Sequence, residues 1–132
     1  TYIMNAFFEA APTPHKWRIH FHRFMLWVHE RKTELSEQQD PLKHIARKLS
    51  AKYRLLCLDE FMVTDIADAM ILHRLLRHLY LQGVVIVTTS NIEPDGLYLD
   101  GLQRDQFLPA IELIKQHSVV IEVGGANDFR KQ

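Results

Sequence analysis

The sequence predicts an α/β domain: a mostly parallel sheet in a three-layer sandwich, with helices on both faces. Three observations carry this. Apolar residues switch between helical and strand spacing along the chain, in an order that alternates the two element types. Val84–Val87 is apolar at every position, as a strand covered on both sides by helices has to be. Leu55–Leu58 is a second short apolar run, and it stops at two acids, Asp59 and Glu60. A length of 132 residues and a hydrophobic content of 47% fit one domain with a sizeable core.

Each element has its own signal. Ile3, Met4, Phe7 and Phe8 fall at helical spacing within Tyr2–Ala11, and Pro12 and Pro14 end that helix. Trp17, Ile19 and Phe21 then alternate with Arg18, His20 and His22, which reads as a strand with one buried face. Helical spacing returns from Phe24 to about Gln38, with Phe24, Val28 and Leu35 inward. Asp40-Pro41 is an N-cap followed by a first-turn proline, and the helix it opens points Leu42, Ile45, Ala46 and Leu49 inward. After the Leu55–Leu58 strand, Asp65 caps a helix to about Gln82, with Ile66, Ala69, Met70, Leu72, Leu76 and Leu79 inward. Gly83 terminates it. The Val84–Val87 strand leads into Thr88-Thr89-Ser90-Asn91 and a polar loop. A helix from about Arg104 to His117 follows, its start blurred by Pro109. Val119–Val123 is a last apolar strand, closed by Gly124-Gly125.

Composition removes several classes of function. Sixteen basic residues balance sixteen acidic ones, so there is no overall charge to draw nucleic acid or anionic membrane. Arg74, Arg77 and His73 form a basic helix face, which by default is solvated. Cys57 is the only cysteine, so no intrachain disulfide forms and a cytoplasmic setting is expected. No apolar run approaches the roughly 20 residues that span a bilayer, and Thr1–Ala11 lacks the basic start of a signal peptide. The absence of a starting Met, with an amphipathic pattern from the outset, reads as a piece of a longer protein.

In an open parallel sheet, ligands bind at the carboxyl ends of the strands. Asp59 and Glu60 end one strand there. Paired acids at that place suit a magnesium nucleotide: one holds the ion, usually through its waters, and the other orients and deprotonates an attacking water. Asn91 ends the neighbouring strand, where its amide can face a γ-phosphate or the water. Arg104, at the start of the next helix, can stabilise phosphoryl charge in a neighbouring subunit's site. Each has a plainer alternative: an acidic turn, a polar turn, a surface arginine. His20, His22 and His29 lack a clear fourth ligand for zinc, and a polar strand face contacting nearby loops is the preferred reading. Trp17, Phe21, Phe24 and Trp27 read as core rather than as a base-stacking platform.

The run Leu55-Leu56-Cys57-Leu58-Asp59-Glu60 resembles a Walker B strand of the AAA+ class of P-loop ATPases, and Asn91 its sensor-1 residue. Longer segments resemble the ZapE cell-division ATPases and their mitochondrial relatives, the lactation-elevated ATPases. These are His20–Met25, Leu58-Asp59-Glu60-Phe61, Val63–Leu72, Thr89-Ser90-Asn91, and Gly101-Leu102-Gln103-Arg104 with Phe107-Leu108-Pro109. Met62 departs from the family, which carries Gln there.

The resemblance implies a P-loop NTPase (AAA+) core that binds ATP and Mg²⁺. Within it Thr1 matches the Walker A threonine that ligates the ion, Asp59 the magnesium-associated acid, Glu60 the catalytic base, Asn91 sensor 1, and Arg104 an arginine finger acting in trans. No glycine-rich turn with a lysine occurs in these residues. The chain is therefore expected to be a fragment lacking the first strand, the phosphate loop and the helical lid that would follow Arg130, and to be inactive alone. That first strand would lie between Val84–Val87 and Val119–Val123, leaving a gap there. The resemblance further implies self-association into an oligomer and ATP hydrolysis coupled to remodelling a protein partner. On the bacterial side that is cell division, with the FtsZ ring or another protein as substrate and room for peripheral membrane association. On the mitochondrial side it is protein quality control. A non-catalytic AAA+-like interaction module and a helicase-loader-type ATPase on DNA stand as alternatives.

Overall fold

The computed structural model describes residues 2–122. Thr1 and residues 123–132, with Gly124-Gly125 and Arg130, lie outside them. The elements run α1 (Tyr2–Ala10), β1 (Lys16–His20), α2 (Phe21–Glu34), α3 (Pro41–Lys52), β2 (Leu55–Asp59), α4 (Ile66–Leu81), β3 (Val85–Thr88) and α5 (Arg104–His117), with a short 3-10 turn at Pro94–Gly96. The three strands form one sheet in the order β1-β2-β3, and both pairings are parallel.

Strand β2 is buried at all five positions and divides its side chains between two layers. Leu56 and Leu58 join the larger core, made with α2, α3, α4 and α5. Leu55 and Cys57 face the other way and pack under Met4 and Phe8 of α1. One helix therefore covers one face and four cover the other, the three-layer arrangement the alternation predicted. The helix ends follow the predicted chemistry. Asp40 accepts from the Lys43 N–H, and Asp65 from the Ala67 N–H. Gly83, at φ 83°, closes α4 with Val84 N–H bonded to Leu79 O and its own N–H to Tyr80 O, the paired bonds of a Schellman motif.

Three expectations are corrected, while the helix predicted from about Arg104 to His117 has that range. The β1 strand stops at His20, so Phe21 and His22 belong to α2. Phe21 fits both periods, and the helical set Phe21, Phe24, Met25 and Val28, all buried, prevails. His20 and His22 therefore do not share a strand face. In α4 the inward set includes Leu75 and Ile71, while Ile66 is exposed. Helix α5 runs through Pro109, whose missing N–H leaves free only the carbonyl of Asp105, an exposed residue that water can serve. Residues 119–122 form no strand, and Val119, Val120 and Ile121 are exposed. They have no ladder to join: β3 is the edge of the sheet among the described residues, with Val85 59% exposed, and none of them supplies the strand expected between the two segments.

The four aromatic residues weighed for base stacking belong to the core: Phe21 and Phe24 are buried, and Trp17 and Trp27 pack against it partly buried. Trp17 stacks on Tyr53 at 5.4 Å and meets Trp27 and Phe24 edge-on at 5.5 and 5.9 Å. Cys57 is wholly buried, and burial, reinforced by the Asp59 carboxylate, pushes its thiol up to about 11. A reagent that needs the thiolate is therefore expected to leave Cys57 unmodified at pH 8 in the folded protein and to label it only on unfolding. Peptide-mapped mass spectrometry after timed alkylation checks this; fast labelling in the native state would contradict the packing of β2 against α1.

Candidate functional site

The ends of β2 and β3 are laced into one rim. Thr89 is the centre of the lacing: its N–H donates to Leu58 O at 3.1 Å, its carbonyl accepts from Phe61 N–H at 2.7 Å, and its hydroxyl accepts from Glu60 N–H at 3.0 Å. Ser90 adds a hydroxyl bond to Phe61 O at 2.8 Å and accepts from Ile92 N–H at 3.1 Å. These bonds hold the Asp59–Phe61 segment against the Thr88–Ile92 segment. Asp59 ends β2 and Glu60 follows it, whereas β3 stops at Thr88, so Asn91 does not end the strand as expected but lies three residues beyond it, in the bend that leads on from the laced segment.

The two acids differ in environment although they are neighbours in sequence. Asp59 is the last residue of β2, on the face covered by α1, and is 4% exposed. A carboxylate that buried needs a counter-charge, and Arg18 of β1 supplies it, with Nε donating to Oδ2 at 2.7 Å and Nη2 to Oδ1 at 3.3 Å. The bond to Asp59 in turn holds the Arg18 guanidinium even more firmly protonated than usual. Glu60 is exposed and has a left-handed backbone, φ 55°. That conformation is rare outside glycine and marks a constrained turn. It takes the Glu60 side chain out of the pleat of β2, and the carboxylate lies 3.6 Å from His20 Nδ1. Asn91 is exposed on the same rim. Each of the three residues offers oxygen donors, the hard ligand type that suits a largely hydrated magnesium ion.

Arg104 is placed differently. It opens α5, and its guanidinium donates to Asp95 O at 2.6 Å and to Leu97 O at 3.2 and 3.3 Å. In this chain it staples the 95–97 turn and makes no hydrogen bond to Asp59, Glu60 or Asn91. Thr1 lies outside the described residues. His20, weighed in the sequence for zinc, stands beside Glu60, and His29 pairs with Asp68 of α4 at 2.6 Å. Among the described residues, no three His, Cys, Asp or Glu side chains gather as a metal cage. Two participants escaped the sequence reading: Arg18, and Asn5 of α1, whose Oδ1 accepts from Arg18 Nη1. The signal for Arg18 was the strand period, which puts it on the Asp59 face through the pairings Arg18↔Cys57 and His20↔Asp59.

A parallel sheet with helices on both faces is the α/β architecture of a P-loop ATPase core. The chain belongs to the AFG1-like ATPase family, whose profile matches residues 1–132. It is 51% identical over 130 residues to the cell division protein ZapE of Escherichia coli K12, covering 98% of this chain and 35% of that protein. It is 39% identical over 137 residues to an uncharacterized protein of Schizosaccharomyces pombe, covering 99% of this chain and 30% of that one. It is 38% identical over 141 residues to lactation elevated protein 1 homolog B of Danio rerio, covering 98% and 28%. The chain thus spans about a third of the length of these relatives. No solved structure matches it. No described helix is long and apolar enough to cross a membrane.

The loop that carries Arg104 is tightly built. Tyr98 lies over Gly101 and donates its hydroxyl to Leu102 O at 2.8 Å, and a Cβ at Gly101 would come within 2.2 Å of the Tyr98 ring. Gly101→Ala is expected to displace Tyr98 from its edge-on contact with Phe107 and to destabilise the fold by about 1–3 kcal/mol, the usual cost of overpacking. Chemical denaturation of the two proteins measures it.

Proposed function

We propose that the whole protein carrying this chain binds ATP with magnesium and hydrolyses the β–γ phosphoanhydride bond, and that it uses this cycle to remodel a protein partner during cell division. The observation that supports the reading best is the shared rim, where Thr89 ties the Asp59-Glu60 strand end to that of Asn91. Family membership supports the ATPase, and the name of the Escherichia coli relative supports the division role.

In this reading Asp59, with Thr1 just ahead of α1, holds the magnesium ion, which when bound offsets charge on the phosphates. Glu60 is held out of the strand by its left-handed backbone and takes a proton from the attacking water. Asn91 aligns that water with the γ-phosphate. Catalysis is then chiefly positioning and charge stabilisation. Arg104 acts across the interface of an oligomer, exchanging its carbonyl partners on the 95–97 turn for phosphoryl oxygens of the neighbouring site. The FtsZ ring is the proposed partner, and the cytoplasm the proposed setting.

Steady-state ATP turnover of the whole protein tests the mechanism. Glu60→Gln is expected to lower kcat about 100-fold or more with little change in nucleotide affinity, as loss of a general base does. Asn91→Ala is expected to lower kcat with affinity kept. Mixing inactive Glu60→Gln with inactive Arg104→Ala subunits is expected to recover turnover, because each supplies what the other lacks. Unchanged turnover in both Glu60→Gln and Asn91→Ala would remove the mechanism.

A further inference from the structure

One guanidinium in the middle of β1 joins two elements that the chain separates widely. Arg18 Nε and Nη2 bond the two carboxylate oxygens of Asp59, at 2.7 and 3.3 Å, while Nη1 bonds Asn5 Oδ1 on the first turns of α1. The guanidinium is planar and rigid, so these acceptors are fixed relative to one another and not merely attracted to a common charge. The other ties between α1 and the sheet do not do this. Met4 and Phe8 pack on Leu55 and Cys57, and such contact is non-directional. Lys16 reaches the carbonyls of Phe8 and Ala11, at the far end of the helix. Among the described residues, Arg18 alone makes a directional link between the amino-terminal part of α1 and the Asp59 carboxylate.

We propose that Arg18 is a positioning residue, which clamps Asp59 against α1 and thereby sets the affinity of the site for its divalent cation. The proposal rests on the reading of Asp59 as the metal-associated acid. In that reading the cation is held beside the end of β2, and the clamp fixes the Asp59 carboxylate against α1 before the ion arrives. Each Asp59 oxygen keeps a lone pair beyond its bond to Arg18, so the clamp and a hydrated ion are compatible. If Arg18 served only to neutralise a buried acid, any cation would replace it. A lysine carries the same charge on a single point. It can serve Asp59 or Asn5, but not both with fixed geometry.

The experiment uses the whole protein and reads equilibrium binding of a fluorescent non-hydrolysable ATP analogue as magnesium is titrated, with a parallel binding curve in EDTA. Arg18→Lys is expected to raise the half-saturating magnesium concentration about tenfold, the scale on which partners of metal ligands act, while leaving affinity in EDTA unchanged. Asn5→Ala, at an exposed position that leaves the Asp59 pair intact, is expected to shift it in the same direction by a smaller factor. It carries the test if Arg18→Lys fails to fold. Wild-type magnesium dependence in both variants, or an equal loss with and without magnesium, would overturn the proposal. Asp59→Asn separates the two levels of inference. If it abolishes the magnesium-dependent gain while Arg18→Lys and Asn5→Ala do not alter it, the clamp alone is wrong. If Asp59→Asn keeps that gain, the reading of Asp59 fails and the clamp falls with it.

Discussion

A carboxylate that ends a fully buried strand must find a counter-charge inside the protein, and much of this fold is arranged around that demand. Asp59 cannot be neutralised by water, since β2 is covered on both faces. Parallel pairing aligns His20 with Asp59, so the residue able to reach back over the same face is Arg18, two positions earlier in β1. Charge on that face of β1 in turn dictates the underside of α1. Met4 and Phe8 remain apolar where they cover Leu55 and Cys57, while a polar Asn5 stands over Arg18. Removing one member of such a buried pair typically costs about 3–5 kcal/mol, because the partner's charge is left uncompensated. The mixed polarity of β1 is therefore not the polar outer face of an ordinary amphipathic strand.

The same constraint separates the roles of two adjacent acids. Asp59 stays in the pleat, and the next residue has to leave it. Glu60 does so in a left-handed conformation, a strain of about 1 kcal/mol or more for a residue with a side chain. The turn survives because Thr89 takes up the N–H groups of both Glu60 and Phe61. A buried, clamped carboxylate and an exposed, freely reachable one are thus obtained from a dipeptide. Environment assigns them different chemistry without any difference in reactive group.

Much of this was legible in the sequence, and the exceptions have definite causes. Caps and terminators were local and read correctly: Asp40, Asp65 and Gly83 act through bonds to residues at most four positions away. The end of β2 at Asp59 was legible because the apolar run Leu55–Leu58 stops there. Phe21 was misassigned because it satisfies a period of two and a helical period at once, and only the burial of Met25 and Val28 decides between them. Arg18 was invisible as a site residue because its meaning depends on register. A one-residue slip of β1 against β2 would turn it to the other face. Residues 119–122 have strand composition, yet β-propensity is realised only beside a strand to pair with.

Arg104 rests on carbonyls of its own chain, and the role proposed for it requires a second placement. The loop before it is tightly packed: Tyr98 and Gln103 both hold left-handed backbones, and Tyr98 lies across Gly101. The start of α5 is thereby fixed, and the guanidinium rests on the carbonyls of Asp95 and Leu97. Those acceptors are neutral. An anionic oxygen adds a charge–charge attraction that a carbonyl cannot offer the guanidinium. The exchange proposed for Arg104 would replace those two carbonyls with a phosphoryl group. An arginine parked on backbone carbonyls loses less side-chain freedom on engaging an anion than one moving in solvent. The staple on the 95–97 turn and the action proposed for Arg104 across an interface are therefore two uses of the same five donors.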